Sequence, residues 1–253
     1  MATSRQALRK VPEITVWFWV VKLLTTAMGE ATSDYMVLYH NPYIAVTIGG
    51  LGLLLALALQ FVVRRYNAWV YWLTVSMVAI FGTMAADGVH VRLGVPYAYS
   101  TIFFSIVLAI IFIVWQRTER TLSIHSITTP RREVFYWLTV LSTFALGTAA
   151  GDLAATTMKL GYFTAGLVFT GLIMLPAIAR LIGANEVLTF WIAYILTRPL
   201  GASFADWTSK PPAISGLGWG DGHVAIYLTI LIVVCVAYLA KSRVDIKSDL
   251  RSG

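Results

Sequence analysis

Four stretches decide how this chain folds: FWVVKLLTTAMGEATSD at 18–34, YWLTVSMVAIFGTMAAD at 71–87, YWLTVLSTFALGTAAGD at 136–152 and FWIAYILTRPLGASFAD at 190–206. They align without a gap on Trp19, Trp72, Trp137 and Trp191. An aromatic residue precedes each tryptophan. Ten residues after it come Gly29, Gly82, Gly147 and Gly201, and fifteen after it come Asp34, Asp87, Asp152 and Asp206. The chain has seven aspartates, and four of them fall on this template. A fixed spacing recurring four times marks an internal repeat, in which each copy is one structural unit.

Working outward, each stretch opens an apolar run, and a second apolar run without acidic residues follows it. The eight runs span approximately 14–37, 43–63, 68–90, 96–116, 134–158, 160–180, 187–208 and 222–240. Each approaches the roughly 20 apolar residues that a membrane helix needs. The composition agrees, being 58% hydrophobic and only 12% charged. So few ionisable groups cannot cover the surface of a soluble protein this long, whereas lipid asks for none. The expected fold is an all-α integral membrane protein of eight transmembrane helices. These form four tandem two-helix repeats in parallel orientation, at approximately 11–66, 67–127, 128–183 and 184–243, within one membrane domain.

The net charge of +7 suits membrane orientation better than nucleic-acid binding, because the basic residues sit between apolar runs. Fourteen lysines and arginines, among them Arg5, Lys247 and Arg251, fall on the N-terminal side of the runs. Arg92, Lys159 and Lys210 fall on the other. This bias puts both termini in the cytoplasm, as an even number of spans requires. The first apolar run lacks a small-residue cleavage site and is read as retained. The single cysteine, Cys235, allows neither an internal disulfide nor a cysteine metal cluster.

Two spans per unit send all four copies through the membrane in the same direction. Each aspartate then lies roughly 22 Å along its helix from its tryptophan, at one common depth. At about 100° per residue, tryptophan, glycine and aspartate share one broad face. A glycine there allows close helix approach, so helices one, three, five and seven should form the inner group.

The phrases KVPEITVWFWVVKLLTTAMGEATSDY and FWIAYILTRPLGASFADW, with the repeated W-x9-G-x4-D, resemble a bacterial family described as uncharacterised membrane-anchored proteins, built from a membrane repeat of unknown function. The resemblance covers essentially the whole chain. It implies bacteria, the cytoplasmic membrane and tandem repeats, and it brings no activity.

Carboxylates inside a span are costly and commonly functional. Glu30 lies one turn before Asp34 on the same face, and Lys22, Thr26 and Glu30 form a stripe. Arg198 precedes Asp206 by two turns, and Pro199 after it should kink the seventh span. The candidate ion-binding residues are therefore Glu30, Asp34, Asp87, Asp152 and Asp206, with Lys22, Arg198 and Thr26. Five acids facing two bases leave three charges for protons or bound cations to neutralise. The alternative is structural: Lys22 and Arg198 neutralise two acids, and the remaining acids are protonated and fix the packing. Asp87 and His90, three residues apart, are a candidate pair of transition-metal ligands.

Enzyme signatures such as H-E-x-x-H, G-x-S-x-G or a P-loop are absent. The expected reading is not an enzyme and needs no cofactor. It is a secondary transporter exchanging a cation with protons, whose partners are the lipid bilayer, the small cation and protons, with room for an oligomer. A passive cation channel and a structural or sensory membrane protein are the alternatives.

Overall fold

The computed structural model describes residues 9–246. Arg5, Lys247, Asp249 and Arg251 lie outside them. Eight long helices follow in order: α1 Val16–Tyr39, α2 Pro42–Val62, α3 Ala68–Asp87, α4 Tyr97–Glu119, α5 Pro130–Asp152, α6 Tyr162–Leu181, α7 Glu186–Ser209 and α8 Asp221–Ser242. Seven are long and apolar enough to cross a membrane. α1 has 24 residues, but Lys22, Glu30 and Asp34 make it more polar. It packs against α3, α7 and α8 and so traverses the same depth.

Local chemistry sets the starts. Thr15, Asn67 and Asn185 accept a hydrogen bond from the third backbone N–H of α1, α3 and α7, which satisfies a donor the helix leaves open. α5 begins four residues before the expected start of its span. Pro130 is pre-set for a first helical turn and Thr129 caps Arg132 N–H, so Arg131, Arg132 and Glu133 are helical rather than linker. α3 and α5 end differently from α1 and α7. Immediately after Asp87 and Asp152 each continues as one π turn, Gly88–Arg92 and Leu153–Thr157. α7 runs from Glu186 to Ser209 as one helix with Pro199 inside it.

The four odd-numbered helices form a ring, α1–α3–α5–α7 and back to α1. The even-numbered helices lie outside them, each packed on the inner helix of the following copy: α2 on α3, α4 on α5, α6 on α7, and α8 on α1. Most exposed large apolar side chains are on these outer helices.

The template glycines make the ring joints. Gly29 faces Ala79, Gly82 faces Phe144, Gly147 faces Arg198 and Gly201 faces Thr26. In every case the partner stands seven residues after the tryptophan of the next copy, and the fourth joint closes on the first. The aromatic pairs repeat the rule. Phe18 meets Trp72, Tyr71 meets Trp137, Tyr136 meets Trp191, and Phe190 meets Trp19. The repeats therefore form one pseudo-fourfold ring rather than two separate halves.

The segment before α1 crosses the terminal end of the ring. Lys10 N–H bonds Ile127 O, Tyr66 N–H bonds Arg9 O, and Glu13 N–H bonds Asp245 O. Beneath it Lys10 Nζ reaches the buried Glu133 at 2.7 Å, and Gln60 Nε2 donates to the same carboxylate at 3.0 Å.

A side chain at a template glycine must push two helices apart. A Cβ on Gly82 would lie 2.7 Å from Phe144 Cβ, whereas one on Gly171 of α6 meets nothing within 4 Å. Gly82→Val should lower stability by about 1–3 kcal/mol, read as a lower thermal midpoint and loss of the monodisperse species in detergent. Gly171→Val should behave as wild type.

Candidate functional site

The ring axis is filled from the terminal end towards the aspartate end. The first layer holds Phe18, Tyr71, Tyr136 and Phe190, and the Tyr71 and Tyr136 hydroxyls share a 2.5 Å hydrogen bond. Next comes Lys22, 1% exposed. Its ammonium reaches no acid among the described residues. It lies 4.0 Å from the Phe144 ring centroid and 4.3 Å from that of Tyr194, and donates to Thr26 Oγ1 at 3.3 Å. Two ring faces stabilise a desolvated cation where no carboxylate is near.

One turn further on, Arg198 enters the axis from α7, fully buried. Its Nη1 donates to Thr26 O at 2.9 Å. Its Nη2 reaches Glu30 Oε2 at 2.5 Å, Thr148 Oγ1 at 2.7 Å, and Thr83 Oγ1. Glu30, Thr83 and Thr148 occupy one template position, eleven residues after the tryptophan, in copies one, two and three. The fourth copy has Ala202 there and supplies the guanidinium from position seven instead. A buried charge is tolerable only when its donors are matched. Three copies together supply acceptors for both terminal nitrogens, while Nε has no hydrogen-bond partner among the described residues.

Above this pair the carboxylates gather at the joint between copies four and one. One oxygen from each of Glu30, Asp34 and Asp206 lies within 4.8 Å of the others. An ion of calcium size has oxygen ligands at roughly 2.3–2.6 Å, so a single ion can touch all three. Glu30 is anchored by Arg198 and is also within reach of the Thr83 hydroxyl at 3.3 Å. Asp206 is 4% exposed, and its Oδ1 has no hydrogen-bond partner among the described residues. The hydroxyls of Ser33 and Ser203, on the same two helices, are orphaned in the same way.

Asp34 pairs with Lys210, whose Nζ also reaches Asp221 Oδ1 at 3.1 Å. Burial alone would push the Lys210 pKa down. Asp34 and then Asp206 outweigh it and hold the ammonium above the usual lysine value.

The residues expected from the sequence separate into groups. Lys22, Thr26, Glu30 and Arg198 form one connected set, and Asp34 and Asp206 join it through Glu30. Asp87 and Asp152 are half-buried on the opposite copies. They lie within electrostatic reach of each other and of Glu30, with no ion pair among the described residues. His90 Nδ1 donates to Val95 O at 2.6 Å, and its ring stacks on Tyr97. The oxygen set that the fold assembles is thus Glu30, Asp34 and Asp206 rather than a group around Asp87 and His90. His125 stands between Glu13 at 3.3 Å and Glu186 at 3.9 Å.

Sequence reasoning missed Thr83, Thr148, Lys210 and Asp221. Reading positions seven and eleven across the copies finds the threonines. Nothing in the template finds Lys210 and Asp221, which belong to a connection present only in the fourth copy.

Breaking the buried pair should cost more than deleting it. Arg198→Met leaves Glu30 desolvated and should lose about 3–5 kcal/mol. Adding Glu30→Gln should restore most of that. Thermal unfolding of the single and double variants in detergent checks the order, and equal losses would contradict the pairing.

Four segments of the chain, 17–66, 70–121, 135–182 and 189–245, match the family described as Repeat of Unknown Function (DUF347), one match on each helix pair, and the chain belongs to that family. No curated protein and no solved structure matches it.

Proposed function

We propose that this member of the repeat family is a secondary transporter, exchanging a small cation, most suitably a hard divalent one, with protons at Glu30, Asp34 and Asp206. The observation that carries this reading is the meeting of three carboxylate oxygens within 4.8 Å, one of the acids being buried with an oxygen unsatisfied. Five acids against Lys22 and Arg198 on one low-dielectric axis favour neutralisation from outside the chain. Protons and a metal cation compete for the same oxygens, so the gradient of one can drive the other.

The donor set indicates the cation class. Oxygen-only coordination suits magnesium, calcium or manganese, and neither histidine nor cysteine stands in the set. Arg198 is assigned the positioning of Glu30. Asp34 and Asp206 are assigned the binding and release of the ion, with Asp87 and Asp152 drawing cations towards it.

Exchange is favoured over passive conduction by the filled axis. On the terminal side of Arg198 the path is blocked by Lys22 and by Phe18, Tyr71, Tyr136 and Phe190, each at most 6% exposed. A channel needs a continuous wet path, whereas alternating access needs the aromatic layer to part only once the ion is seated. On the distribution of lysine and arginine, the terminal end faces the cytoplasm and the acid set opens to the outside. The reading assigns no catalysis and no cofactor.

In proteoliposomes the wild-type chain should exchange Mn²⁺ against internal protons. Asp34→Asn with Asp206→Asn should reduce that flux by about 10- to 100-fold or more, while Glu119→Gln, far from the axis, should leave it unchanged. Flux of Mn²⁺, Ca²⁺ and Mg²⁺ that survives the double substitution intact rejects the mechanism.

A further inference from the structure

Lys210 holds a position that no other copy provides. The corresponding residues, nineteen after each tryptophan, are Leu38, Val91 and Thr156. Its backbone is fixed. Lys210 N–H bonds Asp206 O at 2.8 Å, and its carbonyl accepts from Gly218 N–H at 2.8 Å. The connection from Pro211 to Gly220 folds back over the end of α7. Leu217, Trp219 and Gly220 donate to the last open carbonyls of that helix, those of Trp207, Thr208 and Ser209, as helix ends require. Gly216 lies so close beneath Lys210 O that a Cβ there would collide with it. From this fixed backbone the Lys210 side chain reaches Asp34 and Asp221.

That side chain bridges two acids of different standing. Asp34 belongs to the three-carboxylate set. Asp221 opens α8, is 5% exposed, and lies outside the set. The negative end of the α7 dipole and the positive end of α8 meet here, and the ammonium lies between them.

We propose that Lys210 is the specificity-determining residue of the carboxylate site, a tethered cation that occupies Asp34 until an entering divalent ion displaces it onto Asp221. This rests on the cation-site reading above. The charge count supports it. Among the groups in direct contact, Glu30, Asp34 and Asp206 against Arg198 leave two negative charges, the complement of a divalent ion, since Lys22 rests on Thr26 and two aromatic rings instead. With Lys210 in place one remains, which is too few to hold a divalent ion and too contested for a monovalent one. Na⁺ or K⁺ must compete with an ammonium of equal charge already held by the chain, whereas a divalent ion brings twice the charge to the same oxygens. Asp221 keeps the displaced ammonium paired, so displacement does not strand a charge.

The apparent affinity of a site falls by the fraction of time it is free. If Lys210 holds Asp34 for nine-tenths of the time, the cost is about tenfold. Removing the ammonium and removing its alternative seat therefore have opposite effects, which a merely structural role does not give. The test is calorimetric titration of the full-length protein in detergent with MnCl₂ and, separately, with NaCl. Lys210→Met should bind Mn²⁺ about tenfold more tightly than wild type and should gain measurable Na⁺ binding. Lys210→Arg should retain the wild-type preference. Asp221→Asn removes the alternative seat, drives the ammonium onto Asp34, and should weaken Mn²⁺ binding.

Wild-type Mn²⁺ binding that Lys210→Met leaves unchanged or weakens overturns the role of Lys210 alone. Lys210→Met and Asp221→Asn weakening Mn²⁺ equally assigns the pair to packing and overturns it too. Absence of Mn²⁺ binding in both wild type and Lys210→Met overturns the cation site and this proposal with it.

Discussion

The arrangement depends on one guanidinium that must be satisfied away from water. Arg198 lies where the four inner helices converge, and no single helix has enough acceptors for it. Glu30, Thr83, Thr148 and the carbonyl of Thr26 come from the other three inner helices, so its two terminal nitrogens find their acceptors only when the ring is closed. Folding and site formation become one event. The same interaction fixes Glu30 in place, and with it the third corner of the carboxylate set. A polar contact that reports on all four copies at once serves register as much as stability.

The symmetric and asymmetric parts of the ring divide the work. Glycine joints and tryptophan–aromatic contacts recur four times and build the scaffold. The positions that differ between copies carry the chemistry. Seven residues after the tryptophan stand Thr26, Ala79, Phe144 and Arg198, and eleven after it stand Glu30, Thr83, Thr148 and Ala202. Copies one and four, adjacent because the ring closes, hold the acids that meet. Copies two and three keep their aspartates at the start of a π turn, a feature that often accompanies functional positions. The likeness of the repeats gives the ring its walls, and their divergence gives it a charged corner.

This division explains what the sequence could disclose. Trp, Gly and Asp at constant spacing expose the repeat, the number of spans and the inner face, because identity at a fixed offset is a one-dimensional property. Neighbour order is not. The template says that Gly147 needs a close partner, but not that the partner is Arg198. The ring was therefore hidden until the helices were placed. Glu30, Asp34 and Asp206 were legible as costly charges inside apolar runs. Lys22 was legible as well, but its aromatic surroundings come from Phe144 and Tyr194 on other helices, and the expected acid partner is absent. Lys210 and Asp221 looked like ordinary loop residues. Their meaning comes from a connection folded back by its own backbone hydrogen bonds, which hydropathy does not record.

Each outer helix rests on the inner helix of the copy after it, and the last rests on the first. The chain is thus a closed loop of clasps, in which no helix pair is held mainly by its own members. Its two described ends meet at the same face, where Glu13 N–H bonds Asp245 O at 2.9 Å. The order of the copies around the ring is consequently independent of where the polypeptide happens to start. A ribosome, by contrast, completes the first copy's surroundings last, since α1 waits for α8.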